Sequence, residues 1–544
     1  MSIEIRRRHF LAASLGGAAA MALPGQILAA TAGQGFTHGV ASGEPGQASM
    51  LLWTRYRGGA DQTELAWEIA EDTDFGRIVG EGTTLASEPA GHCAKAMAEG
   101  LQPATWYYYR FRAPNGDVSP TGRTRTLPAE GTTPFGLAFM SCSNLPFGYF
   151  NAYAHAAKRD DIHLVAHLGD YIYEYPNREY PARGQGVAGR TLEPDHEILS
   201  LADYHARYAV YRADRDLQLL HQRFPTVTIW DDHEIANDAW KDGAENHQPE
   251  TEGDWEARKA AAMAAYHHWL PMSDEPFKAY EIGDLATLFR LDTRLLGRDE
   301  QIDLRAIMAQ AGSFEAALDL LRNDVWIDPE RQLLGARQER WLLDGLKRSV
   351  SGGKPWQVLA QQVVMGSTYT PAATTEWIDP NAGPGIMQRV QAALGLASAG
   401  IPNNLDAWGG YPAARSRLLR GAQDAAANLV VLAGDSHNGW AFNLAEGERP
   451  AGVEFGVQSV TSPGYEAYFT RTDPAAIEQA LIDGSSELAW CDTSNRGYAV
   501  LTLEAEQARG DYVFVDTIRE PAPSAARKAK SFTVAAGTNR LAAV

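Results

Sequence analysis

Ile162-His163-Leu164-Val165-Ala166-His167-Leu168 runs directly into Gly169-Asp170-Tyr171-Ile172-Tyr173, and this junction decides how the chain is read. A largely apolar run of that length fits a buried strand. The glycine marks the point where it turns. Side chains alternate faces along an extended strand, but a chain that turns after Gly169 can bring Asp170 and Tyr173 to one point. A carboxylate and a phenol are anionic oxygen donors, suited to a hard, oxidised metal ion rather than to a soft site built from Cys and His. The structural alternative is a simple turn in which Tyr173 packs and Asp170 caps.

Three further apolar runs stop in the same way. Phe135 to Met140 ends at Ser141-Cys142-Ser143-Asn144, Thr226 to Trp230 at Asp231-Asp232-His233-Glu234, and Leu429 to Ala433 at Gly434-Asp435-Ser436-His437. In open α/β sheets ligands bind beyond the carboxyl ends of the strands, where all these motifs fall. Each has a structural alternative: Cys142 as a buried small apolar group, Asp231, Asp232 and Glu234 as an acidic turn, His233 as a core histidine, Asp435 and His437 as a helix cap and its neighbour. All four alternatives holding at once requires a joint coincidence.

Outward from this region, residues after Pro134 alternate apolar strands with helical stretches, which gives an α/β layer architecture. Further strands are expected at Thr287 to Leu291 and Trp356 to Ala360. Those near Glu454 to Val460 and Tyr498 to Glu504 would form a second sheet facing the first. Helices are expected over Tyr149 to Arg159, Leu201 to Leu220, Trp255 to Trp269 and Arg331 to Ser349, and a surface crossing over Arg519 to Lys530. From Phe36 to about Pro128 the runs are short, aromatic and β-branched, with turn residues every ten or so positions. That pattern describes a small β-sandwich. Leu101-Gln102-Pro103-Ala104-Thr105-Trp106-Tyr107-Tyr108-Tyr109 resembles a strand signature of fibronectin type III modules.

The chain has 544 residues, enough for two or three domains, and a formal charge of −20. Residues 1 to 32 carry three arginines against Glu4, so the remainder stands at −22. Such a body does not hold nucleic acid by its phosphates, and an anionic substrate needs a local metal or arginine site. Arg7-Arg8-His9-Phe10-Leu11 opens an apolar stretch to Leu23 that is too short to span a bilayer, and Ala30-Thr31-Ala32 offers a cleavage point. This segment resembles a twin-arginine export signal. The resemblance implies engagement of the twin-arginine machinery, export after folding, and a periplasmic or secreted protein without a later membrane span.

The four blocks together resemble the calcineurin-like metallophosphoesterases, and their departures from that pattern resemble the PhoD-type alkaline phosphatase and phosphodiesterase family. Glu197 to Tyr208, Leu217 to His221, Trp230 to Asn237 and Leu291-Asp292-Thr293-Arg294 look like signatures of the same family. The departures within it are His205 and Asp238, where Arg and Asn are frequent, and Gly409, where an acid is usual. The resemblance implies a four-layer αββα sandwich over 131–544, a fibronectin III-like module over 33–130, and a signal over 1–32. It also implies that Cys142, Asp170, Tyr173 and His437 hold Fe3+. Asp170 would bridge to Ca2+ with Asp232 and Asp435, and Asn237 would be a weaker ligand. If Cys142 is a ligand, Cys93 and Cys491 are the remaining possible disulfide partners.

The expected reaction is metal-assisted hydrolysis of a small-molecule or lipid phosphate ester. His233 would contact the phosphoryl group or protonate the leaving oxygen. Asn144 and Arg190 would be phosphate contacts. The alternatives are a phospholipase D-like phosphodiesterase on the same site and an exported metal-binding or adhesion module without catalysis.

Overall fold

The computed structural model describes residues 33–131, 134–379, 384–522 and 525–544. The export signal expected over 1–32 therefore lies outside the described residues. Two large sheets carry the mixed α/β body. In the larger, Phe135–Met140, Leu164–His167, Pro225–Thr228 and Val40–Gly43 run parallel side by side. In the smaller, Ala286–Arg290, Trp356–Ala360, Leu429–Ala433 and Arg449–Gly456 do the same.

Parallel strands are buried on both faces, which is why Phe135–Met140 and Leu429–Ala433 read as unbroken apolar runs rather than as alternating ones. The inner faces meet in one core that includes Leu137, Phe139, Leu164, Ala166, Leu288, Val358, Val430 and Phe455. Helices cover the outer face of the larger sheet through Tyr153, Tyr208, Leu217 and Tyr266, and that of the smaller through Leu342, Leu346, Leu418 and Ile477. A fully buried Leu or Phe is worth about 1.5–3 kcal/mol, so these three apolar layers are the main cohesive term.

Three expectations need correction. Gly497–Leu503 pairs antiparallel with Phe135–Met140 in the larger sheet and does not belong to a facing one. The expected surface crossing over Arg519 to Lys530 turns into the strand Ala526–Ala535, paired with Gln507–Val515. The helix expected over Leu201 to Leu220 is two helices, Leu201–Arg212 and Arg215–Arg223. Asp214 interrupts it: its carboxylate accepts the amides of Asp216 and Leu217 as the N-cap of the second helix.

The first module is a sandwich of an unusual kind. One of its sheets, Ile78–Ser87, Gln62–Ala70, Trp106–Arg112 and Gly122–Arg125, stands alone. The other, Val40–Gly43, Ser49–Arg55 and Cys93–Glu99, is the edge of the larger catalytic sheet, joined where Ser42 and Gly43 face Pro225 and Thr226. Leu52, Leu65, Ile69, Tyr107, Tyr109 and Phe111 fill the space between them.

Candidate metal centre

Met140, His167 and Thr228 lie level across three neighbouring strands, so the loops that follow leave from one rim. Two glycines let those loops close on each other. A Cβ on Gly169, which has φ +104°, would lie 2.4 Å from the Asp231 Cβ, and one on Gly434 would lie 2.7 Å from the Ser141 Cβ. The residues that follow also adopt left-handed backbone: Cys142 at φ 60°, Asp170 at 53°, Asp435 at 60° and His437 at 63°. That conformation costs an ordinary residue about 1–2 kcal/mol. Its concentration in four proposed ligands is the kind of local strain found at functional sites.

The side chains converge as the sequence reading expects. The Tyr173 hydroxyl donates to Asp170 Oδ2 at 2.9 Å and stands 2.7 Å from Ser462 Oγ and 3.5 Å from His437 Nε2. Cys142, Asp170 and His437 bring one donor atom each within 4.8 Å of one another; so do Asp170, Asp232 and His233, and Asp231, Asp232 and Asp435. His437 Nδ1 lies 2.8 Å from the Pro463 carbonyl, which can only accept, so the proton is on Nδ1 and the Nε2 lone pair faces the cluster. Asp170 Oδ1 and Asp232 Oδ1 are buried without a hydrogen-bond partner among the described residues. Such orphaned carboxylate oxygens call for a cation, and the donor types fit two different ones. Thiolate, phenolate and imidazole suit a transition metal; Asp232 and Asp435 suit an oxygen-loving divalent ion.

Burial, with the Asp170 charge added, pushes the Cys142 thiol and the Tyr173 phenol well above their ordinary pKa values. Either would serve as a ligand only by giving up its proton to a bound metal ion. Burial likewise raises Asp435 to about 7, against the opposing pull of Arg294.

Sequence reasoning missed several supports. Arg294, fully buried, lies 2.5 Å from Asp231, 3.0 Å from Asp435, 2.8 Å from Asp406 and 3.7 Å from Asp232. Its signal was available: Leu291 to Arg294 follows an apolar strand as the four ligand blocks do. Glu174 accepts from His233 Nδ1 at 2.7 Å and from the Asn237 amide at 2.8 Å. Glu234 is not a solvated acid; it accepts the backbone amides of Asp170, Tyr171 and Asp231 and ties two loops together. Arg207 binds the Tyr173 and Tyr175 carbonyls from the helix behind them.

Two expected site residues do not join the cluster. Arg190 donates to the Leu145 carbonyl and to Asp214 at 2.9 Å each and so braces the loop after Cys142. The Asn237 side chain turns to Glu245 at 3.3 Å. Asn144 does stand at the rim, buried, with Oδ1 unpartnered and Nδ2 held only at 3.4 Å by the Tyr180 carbonyl. The three cysteines are free. Cys93 packs in the helix-side layer of the larger sheet and Cys491 in that of the smaller, on opposite outer faces, so no bridge joins them.

Comparison with known proteins agrees with this geometry. A profile described as PhoD-like phosphatase matches residues 137–512, and one described as PhoD-like phosphatase, N-terminal domain, matches 20–128. Alkaline phosphatase D of Bacillus subtilis (strain 168) is 34% identical over 522 residues, covering 91% of this chain and 80% of the relative. The solved structure titled "Structure of PhoD" superposes with a TM-score of 0.76 at 32% identity, covering 94% of this chain and 92% of the other. Arrangement, profile and relatives converge, and the chain belongs to the PhoD-like phosphatase family.

Proposed function

We propose that this chain hydrolyses phosphate esters, as an alkaline phosphatase or phosphodiesterase, at a centre of two cations that share Asp170. The carrying observation is the convergence of Cys142, Asp170, Tyr173 and His437 from three different strand ends. Cys142, Tyr173 and His437 would hold Fe3+ with Asp170; Asp232 and Asp435 would hold Ca2+ with the same carboxylate. When bound, the cations supply Lewis acidity to the phosphoryl oxygens and acidity to a water.

The chain's own residues do the rest. Glu174 fixes the His233 ring through Nδ1, leaving Nε2 to meet the phosphoryl group or to give a proton to the leaving oxygen. The His233 ring is further wedged against Tyr173 and Tyr175, with centroids 4.3 and 5.4 Å away. Asn144 can turn Nδ2 from its long contact toward a phosphoryl oxygen. Arg294 keeps the acidic rim from repelling an anionic substrate.

Protein purified without added metal should contain iron and calcium and show a visible charge-transfer band from phenolate or thiolate on Fe3+. That band should vanish in Cys142→Ala along with hydrolysis of both monoester and bis-ester chromogenic substrates. A colourless, fully active zinc protein would refute the ligand assignment. Export by the twin-arginine route to the periplasm or beyond is part of this reading, supported by Arg7-Arg8 and the apolar stretch behind them. No helix among the described residues is long and apolar enough to cross a membrane. Arg7→Lys with Arg8→Lys should leave the protein in the cytoplasm.

A further inference from the structure

Away from the metal centre, where the first module meets the helices over the larger sheet, lies a cavity of about 310 Å³. Its lining includes Arg55, Arg57, His92, His205 and Trp269, with Glu88 and Glu193 on the exposed rim. Arg55 is 6% exposed. Its Nε donates to the Gly91 carbonyl at 2.8 Å, Nη1 lies 3.1 Å from His38 Nδ1, and the guanidinium sits 5.0 Å over the Trp269 ring. Nη2 makes no hydrogen bond among the described residues yet is not sealed inside the protein, so it is left open on the cavity side, and no carboxylate there forms an ion pair with Arg55.

Other buried guanidiniums set the contrast. Arg190, Arg258, Arg290, Arg294 and Arg298 each pair with a carboxylate. Arg207 is saturated by backbone carbonyls. Arg55 and the neighbouring Arg212, which acts with it on the same His38 and Cys93, have neither compensation, and of the two only Arg55 lines the cavity. Burial pulls Arg55 down to about 10. In a chain of charge −20, a cavity lined by a guanidinium that lacks a carboxylate, with imidazoles on its wall, stands out as a place for an anion, because a guanidinium largely removed from water gains from an anionic partner.

We propose that this junction cavity binds a small oxyanion, with Arg55 Nη2 as its principal donor and Arg57, His92 and His205 around it. Inorganic phosphate and sulfate fit the volume and the donors. The exposed Glu88 and Glu193 carboxylates at the rim disfavour larger polyanions.

The test is calorimetric titration of the metal-loaded protein with inorganic phosphate, repeated with sulfate. The wild type should bind two phosphates per chain, one at the metal centre and one at the cavity. Arg55→Met should bind one, since a charge-assisted hydrogen bond is worth a loss of about 10-fold or more in affinity. Equal stoichiometry and affinity in the two proteins would overturn the proposal, as would second-site binding only above about 100 mM, the mark of an adventitious anion. Should Arg55→Met fail to fold, His92→Leu and Arg57→Met, both on the partly exposed wall, replace it. Each should weaken the second site about 10-fold, and unchanged binding in both would refute the assignment.

Discussion

His233 and Glu174 form the residue pair on which the proposed proton chemistry turns. Glu174→Gln keeps the shape but removes the charge that orients the imidazole. It should lower kcat by about 10²-fold with little change in KM, the split expected when a positioned proton donor is lost and substrate binding is not. Equal loss in both parameters would assign Glu174 to substrate binding instead. Arg294 is held by several carboxylates at once. Arg294→Met should cost about 3–5 kcal/mol in urea unfolding, because it leaves buried charge uncompensated. Neither residue was identified as a site residue from the sequence. Glu174 adjoins Tyr173, yet its partner is 59 positions away and no local pattern joins them. Arg294 sits at a strand end, but a cation is not a ligand, and a search for ligands passes over the charge that balances them. Arg190 is the complementary case: in the Gly-rich segment Arg183 to Arg190 it looks free in the sequence, and Asp214, itself hidden as a helix cap, holds it in the fold.

At the scale of the element, strands were legible and their pairing was not. Phe135–Met140, Trp356–Ala360 and Leu429–Ala433 stand where their apolar runs predict, since burial on both faces keeps every position but Gln357 apolar. Which sheet Gly497–Leu503 joins depends on partners far away in sequence, and apolarity does not encode that. The strand Val40–Gly43 is the consequential case. It lies in the first module but is the parallel neighbour of Pro225–Thr228, the strand that leads to Asp231, Asp232 and His233. Removing residues 1–130 would therefore bare the edge of the catalytic sheet as well as delete a module. A fragment of residues 131–544 should be insoluble or lack a cooperative thermal transition, and recovery of a soluble, active fragment would show the pairing to be dispensable.

At the scale of the whole molecule, several histidines are held uncharged by full or partial burial. Burial holds His167 down to about 3 and His163, His205 and His267 to about 4, and His221 well below its ordinary value. A folded-state pKa below the unfolded one means that the unfolded chain binds more protons between the two values. The stability is present in full above about pH 6.5 and drains away as pH falls toward 4, by up to about 1.4 kcal/mol per pH unit for each fully buried histidine. His167→Gln and His221→Gln, which can still bond Tyr153 and Tyr171 but cannot charge, should flatten the fall in urea midpoint between pH 7 and 5. An unchanged slope would place the acid sensitivity elsewhere.

The centre also takes its parts from both sheets: Cys142, Asp170 and Asp232 follow strands of the larger, while Arg294, Asp435 and His437 follow strands of the smaller. Neither sheet owns a working half. A chain that has folded one sheet but not yet docked the other has no complete set of donors for a metal ion, so metal uptake should report completed assembly. With the ligands proposed above, the same division would make each ion a fastener across the seam, and conditions that pry the layers apart should be felt first as lost metal and only later as lost fold.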